Sequence, residues 1–143
     1  MKRICSTNLT RILRRIYRTV LVTGREPSTD NLIFAKEISQ NIHLIRSCCL
    51  NILSIKRELS DCPVSEDKYP IVFEEAQEFS SIINYTLTHD SIRDFLKRVA
   101  LRRELTYAEI SCLIPMLELS CLLFLETEIE KNGKSIPKIS NTF

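Results

Sequence analysis

The sequence predicts an all-α fold, a bundle of about five helices with one long helix and one kinked at Pro115, and three observations carry the prediction. Apolar residues recur at three- and four-residue steps through most of the chain, and no segment alternates apolar with polar for long. Only two glycines occur, Gly24 and Gly133, and each stands where a periodic segment ends, which leaves few sites for sharp backbone turns. In the segment Leu105–Leu119, Thr106 and Glu109 form an S/T-x-x-E capping box: the threonine oxygen accepts from the N–H three residues on, and the glutamate reaches back. At 143 residues the chain fits a single domain, placed at 1–133, with 134–143 as a tail or linker around Pro137.

The elements follow in order. A first helix is expected from about Ser6 to Thr23, with Leu9, Ile12, Leu13, Ile16 and Val20 on one stripe and Gly24 as its stop. After the turn at Glu26-Pro27-Ser28-Thr29, one helix approaching about 30 residues carries Leu32, Ile38, Ile45, Cys49, Ile52 and Leu59 up to Cys62-Pro63. Pro63 to Lys68 is the clear loop. Pro70 suits the first turn of a third helix, where a missing N–H is harmless, and Val72, Phe73, Ala76, Phe79, Ile83 and Leu87 make its buried face. Asp90 or Ser91 is expected to cap a fourth helix that runs through Arg102 and buries Ile92, Phe95, Leu96 and Val99. The fifth runs from the capping box to about Lys131, packs through Leu113 and Leu117, and stops at Gly133. Pro115 lies inside it, removes one hydrogen bond and crowds the Ser111 carbonyl, hence the expected kink.

The net charge of +2 hides an uneven distribution. Lys2, Arg3, Arg11, Arg14, Arg15, Arg18 and Arg25 lie in a segment without a single acidic residue, so the rest of the chain is net acidic. The six cysteines show neither disulfide-framework nor zinc spacing and sit among apolar neighbours, the pattern of buried free thiols in a reducing compartment. That spacing and the arginine-interrupted start, which does not read as a secretory signal, predict a cytoplasmic protein. The apolar run Ile110–Leu125 is broken by Pro115 and Glu118 and falls short of the roughly 20 residues that span a bilayer, so it reads as a core helix.

Several short patterns then coincide in order: Ala35, Asn41-Ile-His-Leu-Ile45, Tyr69-Pro-Ile-Val-Phe73, Phe95, and Leu105-Thr106 with Glu109, Leu113 and Met116-Leu117. This set resembles the helical region that precedes the glycosyltransferase domain in cyclic β-1,2-glucan synthases and related large bacterial glycan-processing proteins. The resemblance spans about Thr29 to Ile129 and makes Asn41, His43, Tyr69, Pro70, Thr106, Glu109 and Pro115 its structural markers. The family's proline falls at the slot held here by Ile114, and its tryptophans are absent. The resemblance also implies that the catalytic parts lie elsewhere: the paired aspartates, the Q-x-x-R-W motif and the transmembrane helices of such synthases have no counterpart in the sequence. It implies an accessory module or a fragment of a truncated or split synthase.

Candidate sites are weighed against plainer roles. His43 and Cys48 do not share a helix face and lack a second ligand pair, so no metal is expected, and no cofactor motif occurs. A partly buried His43, hydrogen-bonded to a neighbouring helix with Asn41 beside it, is the simpler role. His89 and Asp90 are adjacent in sequence and poorly placed to converge on one substrate atom. Glu74, Glu75 and Glu78, and Glu126, Glu128 and Glu130, read as solvated faces rather than as paired acids.

Arg11, Arg14, Arg15 and Arg18 are the candidates for contact with a lipid surface or a partner, where each cation near an anionic surface contributes about 1 kcal/mol. The expected function is thus a non-catalytic module that scaffolds or regulates a glycosyltransferase domain or membrane synthase subunit, cytoplasmic and peripheral at the inner membrane. A free-standing helical adaptor that binds protein or nucleic acid through the first helix is the alternative. Nucleic acid is the weaker partner, since Tyr17 alone supplies an aromatic near the arginines.

Overall fold

The computed structural model of the chain describes residues 4–25 and 32–134. The fold is all-α, with seven helices among the described residues. They are α1 (Leu9–Arg25), α2 (Leu32–Gln40), α3 (Ile42–Ser54), α4 (Lys56–Ser60), α5 (Ile71–Ile82), α6 (His89–Arg102) and α7 (Tyr107–Lys134). Lys2, Arg3, the Glu26–Thr29 turn and the segment 135–143 lie outside the described residues.

The 28-residue α7 is the axis of the bundle, and α1, α3, α4 and α5 all pack on it. Its buried side is mainly apolar, with Cys112, Leu113, Met116, Leu117, Leu119 and Leu122, and the buried Ser120 hydroxyl among them donates to the Met116 carbonyl at 3.0 Å. Against it stand Leu9, Leu13, Ile16 and Val20 of α1, Ile45, Cys49 and Ile52 of α3, and Phe73, Ala76 and Phe79 of α5. Helix α7 is long and apolar enough over Tyr107–Lys131 to cross a membrane by length and composition. In this structure half of its apolar window is buried inside the bundle.

The expected long second helix is three helices. At Asn41 the backbone leaves helical geometry (φ −106°, ψ 9°) and the Asn41 side chain donates to the Glu37 carbonyl at 2.8 Å, a local bond that competes with the helix ladder. At Ile55 (φ −104°, ψ 16°) the N–H turns to the Ile52 carbonyl three residues back, a tightened turn that ends α3. The apolar stripe survives both breaks, since Ile38, Ile45, Cys49, Ile52 and Leu59 remain buried.

Other boundaries differ as well. Pro70 is the N-cap of α5 rather than a first-turn residue, and the preceding loop closes on itself through Ser65 N–H to the Tyr69 carbonyl at 2.8 Å. Helix α5 ends at Ile82, because Asn84 and Tyr85 take the left-handed region (φ 55° and 58°) and turn the chain away. Ile83 and Leu87 are therefore partly buried outside it. Thr88, not Asp90 or Ser91, is the N-cap of α6: its Oγ1 accepts from Ser91 N–H at 3.1 Å, and the Ser91 hydroxyl accepts from Thr88 N–H at 2.7 Å. Asp90 sits in the first turn, where a negative charge suits the helix dipole. Gly24 and Gly133 fall inside the last turns of α1 and α7 rather than beyond them.

The capping box stands as expected. Thr106 Oγ1 accepts from Glu109 N–H at 3.1 Å, and Glu109 Oε1 accepts from Thr106 N–H at 3.0 Å. Helix α7 then continues as one element through Pro115.

Candidate docking face on the first helix

The five apolar residues Leu9, Ile12, Leu13, Ile16 and Val20 turn one side of α1 into the core, which forces the interleaved arginines outward. Arg11, Arg14 and Arg18 are exposed and, among the described residues, none of the three forms an ion pair. With Thr7, Thr10 and Thr19 they border an open groove of about 560 Å³. Lys56, at the start of α4, donates to Thr10 Oγ1 at 3.2 Å and extends the positive surface beyond α1. Tyr17, the aromatic of this helix, is half-buried against the core and does not join the arginine face.

Arg15 behaves differently. Its Nε donates to Glu126 Oε2 and its Nη2 to Glu126 Oε1, both at 2.8 Å, a two-point contact from α1 to α7. This hydrogen bonding raises the guanidinium pKa further, against the opposing effect of burial. Arg15 therefore adds an ionic tie to α7 in the orientation that the apolar stripe of α1 already sets. Glu126 is buried, which overturns its reading as part of a solvated face: a carboxylate leaves water here because a guanidinium meets both its oxygens.

A second buried ionic group ties α5, α6 and α7 together. Arg103, just past α6, donates through Nη2 to Glu75 Oε1 at 2.7 Å and to Glu109 Oε2 at 2.6 Å. Glu75 is thus another carboxylate drawn off its expected solvated face. Glu109 is 1% exposed. Burial pushes its carboxyl pKa up, but the Arg103 hydrogen bond, the Thr106 amide and the Arg103 charge outweigh that and hold it below the usual carboxylate range. The capping box supplied the local half of this group; Arg103 and Glu75 carry no local sequence signal.

The marker residues take structural positions. Asn41 makes the α2–α3 break, Tyr69 packs its ring 6.3 Å from Phe73, Pro70 starts α5, and Thr106 and Glu109 start α7. His43 is exposed and bonds to no described residue, unlike the partly buried role expected for it, because its position lies off the stripe that Ile45, Cys49 and Ile52 turn to the core. His89 is exposed in the first turn of α6. Among the described residues, no group of three or more His, Cys, Asp or Glu side chains is placed to hold a metal ion. No disulfide joins any of the six cysteines, and Cys49, Cys62 and Cys112 are buried.

A smaller groove of about 390 Å³ is lined by residues of α5 and α6, among them Phe79, Ile82, Arg98, Leu101 and Arg102. Arg98 is held there over the Phe79 ring at 5.6 Å and pairs with Asp94.

No family model, curated protein or solved structure matches the chain.

Proposed function

We propose that the chain is a helical docking module that presents the arginine face of α1 to an anionic membrane surface, and that it positions a glycan synthase of the kind its sequence resembles. The observation that carries the docking role is the division of labour on α1: Arg15 is committed to Glu126, while Arg11, Arg14 and Arg18 stand exposed with no acidic partner among the described residues. Four cations on one structural surface, Lys56 included, suit headgroups spread over a plane. Base stacking finds no support, because the face lacks an aromatic side chain. The synthase context rests on the ordered markers from Asn41 to Leu117 alone.

The test uses vesicles of phosphatidylcholine with and without phosphatidylserine. Binding is expected on the anionic vesicles only and is expected to weaken with salt. Replacing Arg11, Arg14 and Arg18 by Gln removes about 3 kcal/mol, roughly a hundred-fold in affinity, with unchanged helical content. Equal binding to both vesicle types would sink the membrane reading, and salt-sensitive capture of a DNA or RNA oligonucleotide through the same arginines would replace it with the adaptor reading. A sugar nucleotide assay addresses the non-catalytic part: turnover by the isolated chain would overturn it.

A further inference from the structure

Two cysteines that lie 50 positions apart in the sequence meet in the core, with their Sγ atoms 3.7 Å apart. Cys62 follows α4 immediately before Pro63, and Cys112 lies in the second turn of α7. Both are buried. Their sulfurs stand about 1.7 Å beyond the length of a disulfide bond, a gap that a small movement closes. Cys112 lies within α7, which packs against several other helices, so the movement falls to Cys62, two residues past the end of the five-residue α4. There the backbone is already leaving the helix, with Cys62 N–H bonded to the Leu59 carbonyl at 3.2 Å.

We infer that Cys62 and Cys112 form an oxidisable dithiol, a modification site at which a peroxide makes a reversible disulfide that staples the end of α4 to α7. The hydrogen bond between the two thiols lowers the Cys62 pKa, against burial and the nearby carboxylates, and the Arg103 charge acts in the same direction. The same hydrogen bond raises Cys112, which keeps its proton. The direction of these shifts and its place at the movable end of the pair give Cys62 the attacking role. Its sulfur takes one peroxide oxygen as the O–O bond breaks, and the other oxygen leaves with a proton as water, giving a sulfenic acid on Cys62. The Cys112 sulfur then attacks the Cys62 sulfur; the S–S bond forms, the S–O bond breaks, and hydroxide leaves with the Cys112 proton as a second water. Two thiols lose two electrons and one peroxide becomes two waters. A small thiol reverses the change by exchange.

Cys48, Cys49 and Cys121 are poorer sites, because burial raises all three. Burial, with Glu118 adding to it, pushes Cys48 up to about 12 and Cys121 up to about 11, so both stay protonated near neutrality.

The experiment treats the reduced full chain with hydrogen peroxide near neutral pH, blocks remaining thiols with N-ethylmaleimide, and maps unreduced peptides by mass spectrometry. The first event is expected to consume two of the six thiols and to join the Cys62 and Cys112 peptides, to be reversed by dithiothreitol, and to raise the melting temperature. In Cys112→Ser, Cys62 is expected to stop at a sulfenic acid that dimedone traps. Should that variant fail to fold, the same reaction on the native chain in urea serves instead, where the preference for this pair must vanish. Linkage of other cysteines in the folded chain, or oxidation spread evenly over the six, overturns the inference.

Discussion

Arg15 and Glu126, 111 positions apart in the sequence, meet through two parallel hydrogen bonds of 2.8 Å and lock the first helix to the last. The two ends of this contact are not equivalent, because the Arg15 side chain is 43% exposed and that of Glu126 only 10%. Removing the carboxylate leaves a guanidinium that water can still solvate, so Glu126→Gln is expected to lower stability by about 1 kcal/mol. Removing the guanidinium strands a buried carboxylate, and Arg15→Ala is expected to lose about 2–3 kcal/mol. Urea unfolding followed by circular dichroism at neutral pH measures both; equal losses would contradict the asymmetry.

The Arg103 group predicts a pH dependence. Glu109 titrates in the folded chain below its unfolded value of about 4.3, so its contribution to stability is complete above about pH 4.3 and is lost as pH falls through the lower folded value. Arg103→Ala leaves Glu75 and Glu109 without their guanidinium and is expected to remove about 3 kcal/mol at neutral pH. Without Arg103, burial of the Glu109 carboxyl is opposed by Thr106 alone, so the variant loses less stability through that group on acidification. The gap between the two proteins is thus expected to narrow as pH falls below about 4.3, which unfolding curves at a series of pH values will read. A gap that stays constant would show that Glu109 is not held by Arg103.

Helix α6 is attached mainly through α5, where the Phe95 ring lies 5.1 Å from Phe79 and is 1% exposed. Phe95→Ala is expected to cost about 3–5 kcal/mol. The loss should be local before it is global: amide exchange is expected to accelerate in α6 while α7 stays protected. Uniform acceleration across both helices would mean that α6 and α7 open as one unit.

What could be read in advance was local. The apolar stripe of α1, the Val72, Phe73, Ala76 and Phe79 part of the α5 face and the Thr106–Glu109 box each depend on residues within a turn or two, and each stands in the structure, whereas Ile83 and Leu87 fall past the end of α5. The breaks at Asn41 and Ile55 left the apolar period intact, so periodicity joined three helices into one. Glu75 and Glu126 looked like solvent-facing acids because the arginines that draw them inward lie 28 and 111 positions away. The candidate face itself was legible in Arg11, Arg14 and Arg18, since an apolar stripe fixes where its interleaved charges point; the different duty of Arg15 was not, because it depends on α7. The Cys62–Cys112 meeting has the same long-range origin.

Pro115 offers the last test, since α7 continues through it although the residue cannot bond to the Ser111 carbonyl and crowds it. The helix is held on both sides of the proline by buried neighbours, Cys112 and Leu113 before it and Met116 and Leu117 after it. Packing, not local preference, keeps the helix continuous there. Pro115→Ala restores the missing N–H and carries a propensity gain of up to about 3 kcal/mol. Part of that gain is offset, because the packed neighbours are fitted to the backbone around the proline. A net gain of about 1 kcal/mol is expected, a rise of roughly 3–4 °C in Tm by calorimetry. A fall in Tm would instead show that the core needs the backbone shape the proline imposes, and that Pro115 contributes to packing rather than opposing it.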